Sequence, residues 1–264
     1  MTSAQIHPVL APLAARYTDW LALPNSSTVD TSDEQPDQVR AMPVVLRIEK
    51  AQPPNRTALL EAAAAAAVAV CLDERAEQDG PWHADLMAWT GGRIRKVARR
   101  ARGAHWVAAQ EFPGRTVDVH GAQARALVPG LVTETPKEIS RLQIAGSDLP
   151  IEPDPAPPAG RPVLWLNPEV PMTAGKAAAQ VGHGTMLLAA LLSGSGRAEA
   201  LAEWSASGFR CAVRIADKAA WPDLCPGQDP ERSWRERGII AVRDAGFTEV
   251  APGTITVLAQ WPQD

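Results

Sequence analysis

Three polar residues stand in a stretch that is otherwise largely alanine, glycine and leucine: Lys176, Gln180 and His183, within MTAGKAAAQVGHGTMLLAALL, residues 172–192. Read as a helix, their spacing puts all three on one face. A helix beginning near Gly175 presents free N–H groups and a positive dipole end, where an anion is stabilised, and Lys176 adds a full charge there. A phosphate-binding P-loop is excluded, because Val170 stands where an earlier glycine is needed and Ala177 where a hydroxyl is needed. The plainer alternative has Lys176 reaching for solvent while Gln180 and His183 make capping or core hydrogen bonds. A second set lies in VRDAGFTEVAPGTITVLAQWP, residues 242–262, where Asp244 and Thr248 flank Gly246 after an apolar run. Pro252, Gly253 and Thr254 then turn the chain into a last apolar run. Aspartate and threonine at a strand end can orient a water or a substrate hydroxyl; the alternative is an Asx-turn beside a satisfied threonine.

The elements that must position these residues follow from the patterning. VLWL (163–166) is short and bounded by proline, as a buried strand is, and the Ala/Leu stretch behind it has helical length. FRCAVRIA (209–216) alternates Phe209, Cys211, Val213 and Ile215 against Arg210, Ala212, Arg214 and Ala216, a period-2 strand pattern with one exposed face. IIAV and TITVLAQW supply two further strands. The same order occurs earlier, where VVLRI precedes an alanine-rich segment. Residues 88–110 lie over 203–225 without a gap, pairing Trp89 with Trp204, Arg95 with Arg210, Arg99 with Arg214 and Trp106 with Trp221. Residues 129–143 lie over 245–259, pairing Gly130 with Gly246 and Pro136 with Pro252, which puts Val128 and Val132 in the places of Asp244 and Thr248. One duplicated unit is inferred. The expected fold class is α/β: two repeated units, each a mixed four-stranded sheet with helices packed on it. The expected boundaries are an N-terminal extension, 1–41, partly disordered because its Ser, Asp and Pro bury little apolar area; a first unit, 42–146; a Pro-rich linker, 147–162; and a second unit, 163–264.

Composition bounds the function. The 264 residues carry a net charge of −4, with 45% hydrophobic and 21% charged residues, so any nucleic-acid surface must be local. Cys71, Cys211 and Cys225 form no C-x-x-C pair and indicate neither a disulfide framework nor a zinc site. No metal and no cofactor is expected. No stretch reaches the roughly 18 apolar residues of a membrane span, and no signal peptide opens the chain, so a cytoplasmic protein with no membrane partner is expected. The local basic surface is RIRKVARRAR, residues 93–102. Arg93, Arg95, Lys96, Arg99 and Arg100 are candidates for nucleic-acid phosphate contacts, a solvated charged face being the alternative. The repeat reads this stretch as a strand, with Lys96 and Arg100 on the face that is apolar in the second unit. The nine tryptophans read as core and edge packing residues rather than base-stacking platforms.

The two motifs MTAGKAAAQVGHG and DAGFTEVAPGTIT, in that order and about sixty residues apart, resemble the archaeal and eukaryotic type of peptidyl-tRNA hydrolase. That family carries M-x-x-G-K-x-A-x-Q-x-x-H-A at the head of a helix, then D-x-G-x-T and P-G-[ST]-x-T before a closing strand. The resemblance covers roughly residues 163–262. It departs where the family has Arg-Thr-Asp-Leu and this chain has Asn167-Pro168-Glu169-Val170, and where Gly184 replaces an alanine. The resemblance implies hydrolysis of the ester joining a peptide to the terminal ribose of tRNA, with tRNA as the partner. Asp244 with Thr248 would position and deprotonate water, Lys176 would meet the oxyanion or a phosphate, and Gln180 and His183 would hold these groups. Gly175, Gly246, Pro252, Gly253 and Thr254 are carried over as substrate-binding positions. Because the family pairs as homodimers, the chain reads as an internal pseudo-dimer acting as a monomer, with higher oligomers open. The first unit lacks the Lys, Gln and His of the motif, and its Arg47 and Glu49 sit where the family has Arg and Asp, so Arg47 is expected to help across the interface. The competing expectations are a non-catalytic binding or scaffold protein of the same fold, or a hydrolase of another ester or amide. What separates enzyme from scaffold is whether Asp244, Lys176 and His183 converge on a cleft.

Overall fold

A computed structural model describes residues 7–153 and 155–263. Helices α1 (Ala11–Ala15) and α2 (Tyr17–Ala22) lead into the first unit. That unit runs β1 (Arg40–Arg47), α3 (Arg56–Cys71), α4 (His83–Gly91), β2 (Arg95–Ala101), α5 (Gly103–Ala109), β3 (Gly114–Val119), β4 (Ala122–Leu127), β5 (Gly130–Leu131) and α6 (Lys137–Ser140). The second runs β6 (Val163–Leu166), α7 (Ala174–Gly194), α8 (Ala198–Ala206), β7 (Ala212–Ile215), α9 (Trp221–Leu224), α10 (Pro230–Arg237), β8 (Ile239–Arg243) and β9 (Ile255–Gln260).

The two sheets have one topology. The first is ordered β2-β1-β4-β3 and the second β7-β6-β9-β8. In each the two middle strands are antiparallel, the strand reached through the helices is parallel to the opening strand, and the last two form an antiparallel hairpin. The short β5 adds a fifth strand to the first sheet alone, beside β1. The two units also match in detail. Trp89 Nε1 donates to Arg95 O at 3.1 Å, and Trp204 Nε1 donates to Arg210 O at 2.9 Å, the same bond at the positions the sequence pairs. Helix α3 is capped by Asn55, which accepts from Ala58 N, and α7 by Thr173, which accepts from Lys176 N. Superposing the caps sets Ala58, Ala62 and Ala65 in the places of Lys176, Gln180 and His183.

The alanine-rich sequence of α3 has a packing cause. A helix apolar on every side is one buried on every side, and α3 lies between its own strands β3 and β4 and helix α7 of the other unit. Ala62 through Val68 are almost wholly buried. Small side chains bring the two helices close: a Cβ on Gly182 would lie 3.0 Å from Ala67 Cβ, and Thr185 Oγ1 donates to Ala64 O at 2.7 Å.

Three expectations are corrected here. Residues 129–143 do not correspond to 245–259, since β4 occupies the place of β9. Residues 129–143 instead form β5 and α6 and end beside β2, where Arg100 N donates to Gln143 O. What stands in the place of the Asp244 loop is the two-residue turn His120-Gly121, with φ of 51° and 83°, a tight hairpin turn of positive φ. Val128 and Val132 are therefore not the counterparts of Asp244 and Thr248. In β7 the alternation breaks at its end, for Arg214 is buried, bonded to Glu61 of α3 at 3.0 Å, while Ile215 is exposed.

The third correction concerns PNSSTVDTSDEQPDQ, residues 24–38, the part of the N-terminal extension expected to be disordered. Their polar side chains do not pack a core, but the segment from residue 7 onward forms a strap against β8, the edge of the second sheet. Tyr17 Oη accepts from Ala241 N at 2.8 Å, Trp20 Nε1 donates to Arg243 O at 3.1 Å, and Thr28 Oγ1 donates to Ala245 O at 3.0 Å. Leu10, Leu13 and Tyr17 are buried with it. The strap satisfies backbone groups that an open sheet edge leaves unpaired. Residues 148–162 hold no helix or strand among those described. No helix among the described residues is long and apolar enough to cross a membrane.

Candidate active site

Helix α7 begins beside the end of β8, so its first turns face the residue that follows that strand. Lys176 Nζ donates to Asp244 Oδ2 at 2.6 Å and to Thr248 Oγ1 at 3.0 Å. Gln180, one turn on, donates to the same Asp244 oxygen at 2.6 Å and accepts from Thr256 Oγ1. Asp244 Oδ1 accepts from Gly246 N at 2.7 Å. The sequence offered an Asx-turn and a working aspartate as alternatives at Asp244. The structure has the Asx-turn on one oxygen, Oδ1, and leaves the other, Oδ2, on Lys176 and Gln180.

The lysine and aspartate side chains are each 9% exposed, so their mutual attraction is weakly screened. Of the three ammonium donors, two have acceptors among the described residues, which leaves one N–H for a ligand. A carboxylate has about four acceptor positions; three are taken at Asp244.

The loop that carries Asp244 is held by its backbone. Asp244 N donates to Thr254 O, and Gly253 N donates back to Asp244 O. Gly246 has φ of 89°, and a Cβ there would lie 2.5 Å from Pro252 Cα. Gly246→Ala is therefore expected to lower stability by about 1–3 kcal/mol, read as a drop in the urea midpoint, and to reduce turnover through displacement of Asp244. A melt unchanged from the wild type would contradict the close approach.

His183 completes the face. It is contacted from the other unit: Lys96 Nζ, on β2, lies 2.9 Å from His183 Nδ1. The lysine stem runs over Gly182, with Cε 3.2 Å from where a Cβ would stand, and its ammonium lies 5.1 Å from the centre of the Trp89 ring. Burial, then the charges of Lys96 and Lys176, hold the His183 imidazole well below its ordinary range, so it is neutral at pH 7. Burial also pushes Lys96 down to about 7. A charged Lys96 donating to Nδ1 would place the neutral ring's proton on Nε2.

These residues line one cavity of about 660 Å³ between the units. Lys176, Gln180, His183, Asp244, Thr248 and Gly175 all face it, together with Arg93, Arg95 and Lys96 of the first unit and Tyr17 and Trp20 of the strap. Asp244, Lys176 and His183 thus converge on one cleft.

Other expected site residues stand elsewhere. Arg47 does not line the cavity: it bonds Glu49 at 3.1 Å and Gln123 at 2.7 Å within its own unit, so it gives the site no help across the interface. Arg99 donates to Ser140 O and Leu142 O, and Arg100 to Gln143, which ties them to the end of the first unit. Pro252, Gly253 and Thr254 shape the loop from behind; the Thr254 hydroxyl donates to Ala251 O. Gly246 likewise shapes the loop and does not line the cavity. Lys96 points inward to His183 rather than outward to a phosphate.

Arg93 and Arg95 do face the cavity, but the strap covers their guanidinium groups. Arg93 donates to Asp33 at 2.8 Å, and Arg95 donates to both oxygens of Glu34, one of them at 2.6 Å. Sequence reasoning missed these carboxylates, as it missed Trp20 and Thr256. Thr256 had a visible signal, a hydroxyl on the inward face of an otherwise apolar strand. The strap had none, because its order comes from partners far along the chain, 60 positions away at Arg93 and 224 at Ala241.

Residues 161–264 match the family model described as Peptidyl-tRNA hydrolase PTH2. No curated protein and no solved structure matches the chain.

Proposed function

We propose, from the premise that residues 161–264 form a unit of the peptidyl-tRNA hydrolase family, that this chain hydrolyses the ester between peptide and tRNA. The observation that carries the reading is the convergence of Lys176, Gln180, Asp244, Thr248 and His183 on one cavity. The open acceptor position of Asp244 orients a water and receives its proton as the oxygen attacks the ester carbonyl. The remaining N–H of Lys176 meets the oxyanion, a positive group already fixed where negative charge develops. Collapse of the intermediate breaks the bond to the ribose oxygen, which leaves as a hydroxyl with the proton returned, and the peptide leaves as a carboxylate. His183 Nε2–H is a second donor into the site. Gln180, tied to Thr256 behind it, sets the angle of the carboxylate.

The shared topology, the matched tryptophan bonds and the matched caps support descent of both units from one ancestral unit. The first has lost the site: alanines stand at the three helix positions, and a two-residue turn replaces the loop. It serves the second through β2, which brings Lys96 to His183. Release of peptide from peptidyl-tRNA by the purified full chain tests the reading; no release above the uncatalysed rate would refute it and favour a scaffold.

The tRNA backbone approaches through Arg93 and Arg95, in place of Asp33 and Glu34. Arginine forks suit phosphate as they suit carboxylate. The double variant Asp33→Asn, Glu34→Gln is expected to tighten tRNA binding about tenfold at low salt and to steepen its salt dependence. Dissociation constants at about 50 and 200 mM salt check this, and an unchanged affinity would remove the arginines from the RNA path.

A further inference from the structure

We propose that the apolar part of the cavity is a pocket for a bulky hydrophobic acyl residue, so that the substrate class is an ester of a large apolar aminoacyl group. This rests on the reading of the site as a peptidyl-tRNA hydrolase and adds a selectivity that the catalytic residues do not supply. The face of α7 that carries Lys176, Gln180 and His183 continues at the same spacing to Leu187, which also lines the cavity. It changes from polar to apolar one turn beyond the histidine. The same cavity is lined by Trp20 and Leu23 of the strap, Ile94 and Val97 of the first unit, and Phe247 of the Asp244 loop.

Phe247 is 45% exposed and Leu23 38%. Large apolar side chains open to a cavity lose little and gain much when an apolar group covers them. These apolar side chains offer ribose hydroxyls and base edges no polar partner, whereas an apolar acyl side chain laid on them is taken out of water. The volume suits a small organic group rather than a folded chain. The pocket exists because three parts of the chain meet there, and only one of them lies within residues 161–264.

The test compares N-acetylphenylalanyl-tRNA with N-acetylglycyl-tRNA as substrates of the full chain, carried on the same tRNA. The phenylalanyl ester is expected to have the higher kcat/KM by at least about tenfold. In the double variant Ile94→Ala, Phe247→Ala, which touches neither Lys176 nor Asp244, the ratio falls to within about threefold while the glycyl ester is cleaved as before. Equal rates for the two esters in the wild type would overturn the pocket and leave the hydrolase standing. Should neither ester be cleaved, binding of N-acetylphenylalaninamide and N-acetylglycinamide, followed by tryptophan fluorescence, decides. Binding of the first alone, lost in the double variant, upholds the pocket though the hydrolase falls; binding of neither overturns the pocket as well.

Discussion

Lys176→Ala and Asp244→Asn are each expected to lower kcat for peptidyl-tRNA cleavage by about 10²–10⁴-fold, with a far smaller change in KM. The two substitutions act on one unit. Without the ammonium, the proposed oxyanion loses the charged donor of Lys176, and Asp244 keeps Gln180 and Gly246 but not the lysine's counter-charge. In Asp244→Asn, the oxygen that stays in the turn still accepts from Gly246, so the loop survives, while the amide faces Lys176 and Gln180 with donors against donors. The double variant is expected to cost little more than either single one, as for residues that act together. A chain that keeps its fold by circular dichroism and a tenth or more of its kcat in either variant would remove these groups from the chemistry.

The second large effect comes from outside the matched unit. Lys96→Met is expected to reduce kcat by about 10–100-fold, although Lys96 touches no reacting atom. As a proposed positioning residue it would fix which ring nitrogen of His183 carries the proton, and a methionine fills the same path over Gly182 without donating. The readout that a purely structural role would not move is the pH profile. With Lys96 held at about 7 by burial, wild-type activity is expected to fall as pH rises through that value, and this inflection disappears in Lys96→Met. Stability follows the same proton. The unfolded chain holds it up to about 10.5 and the folded chain only to about 7, so stability rises with pH across that window and is lost on acidification through it. His183, also depressed, extends the loss below about 6.5, where the unfolded chain takes up a proton that the folded chain refuses. In Lys96→Met, Tm is expected to vary less between pH 7 and 10. A Tm profile that superposes on the wild type across that range would show that Lys96 titrates normally in the fold.

The proposed duplication accounts for a first unit that serves the second through packing. Helix α3 buries α7 along its length, and β2 closes the cavity. Each unit alone would expose the alanine face of its long helix.

Local sequence determined a good deal. The polar residues at helical spacing, the glycine turns and the apolar strand runs settle helix α7, strands β6, β8 and β9, and the grouping of Lys176, Gln180 and His183 on one face. They do so because period and turn chemistry are short-range properties. The pairing of Trp89 with Trp204 was legible for the same reason, since each tryptophan bonds a carbonyl six residues along its own unit. The alignment of 129–143 with 245–259 failed because glycine, proline and alternating apolar residues mark turns of many shapes, and only strand pairing separates a two-residue hairpin from a long loop. The tertiary structure alone decided the rest. That Lys96 meets His183, that Asp33 and Glu34 cover two arginines, and that Trp20 walls the cavity all depend on how remote segments pack. Side-chain reach and burial across an interface leave no periodic trace in either segment, so those contacts exist only once the two sheets and the strap close on one another.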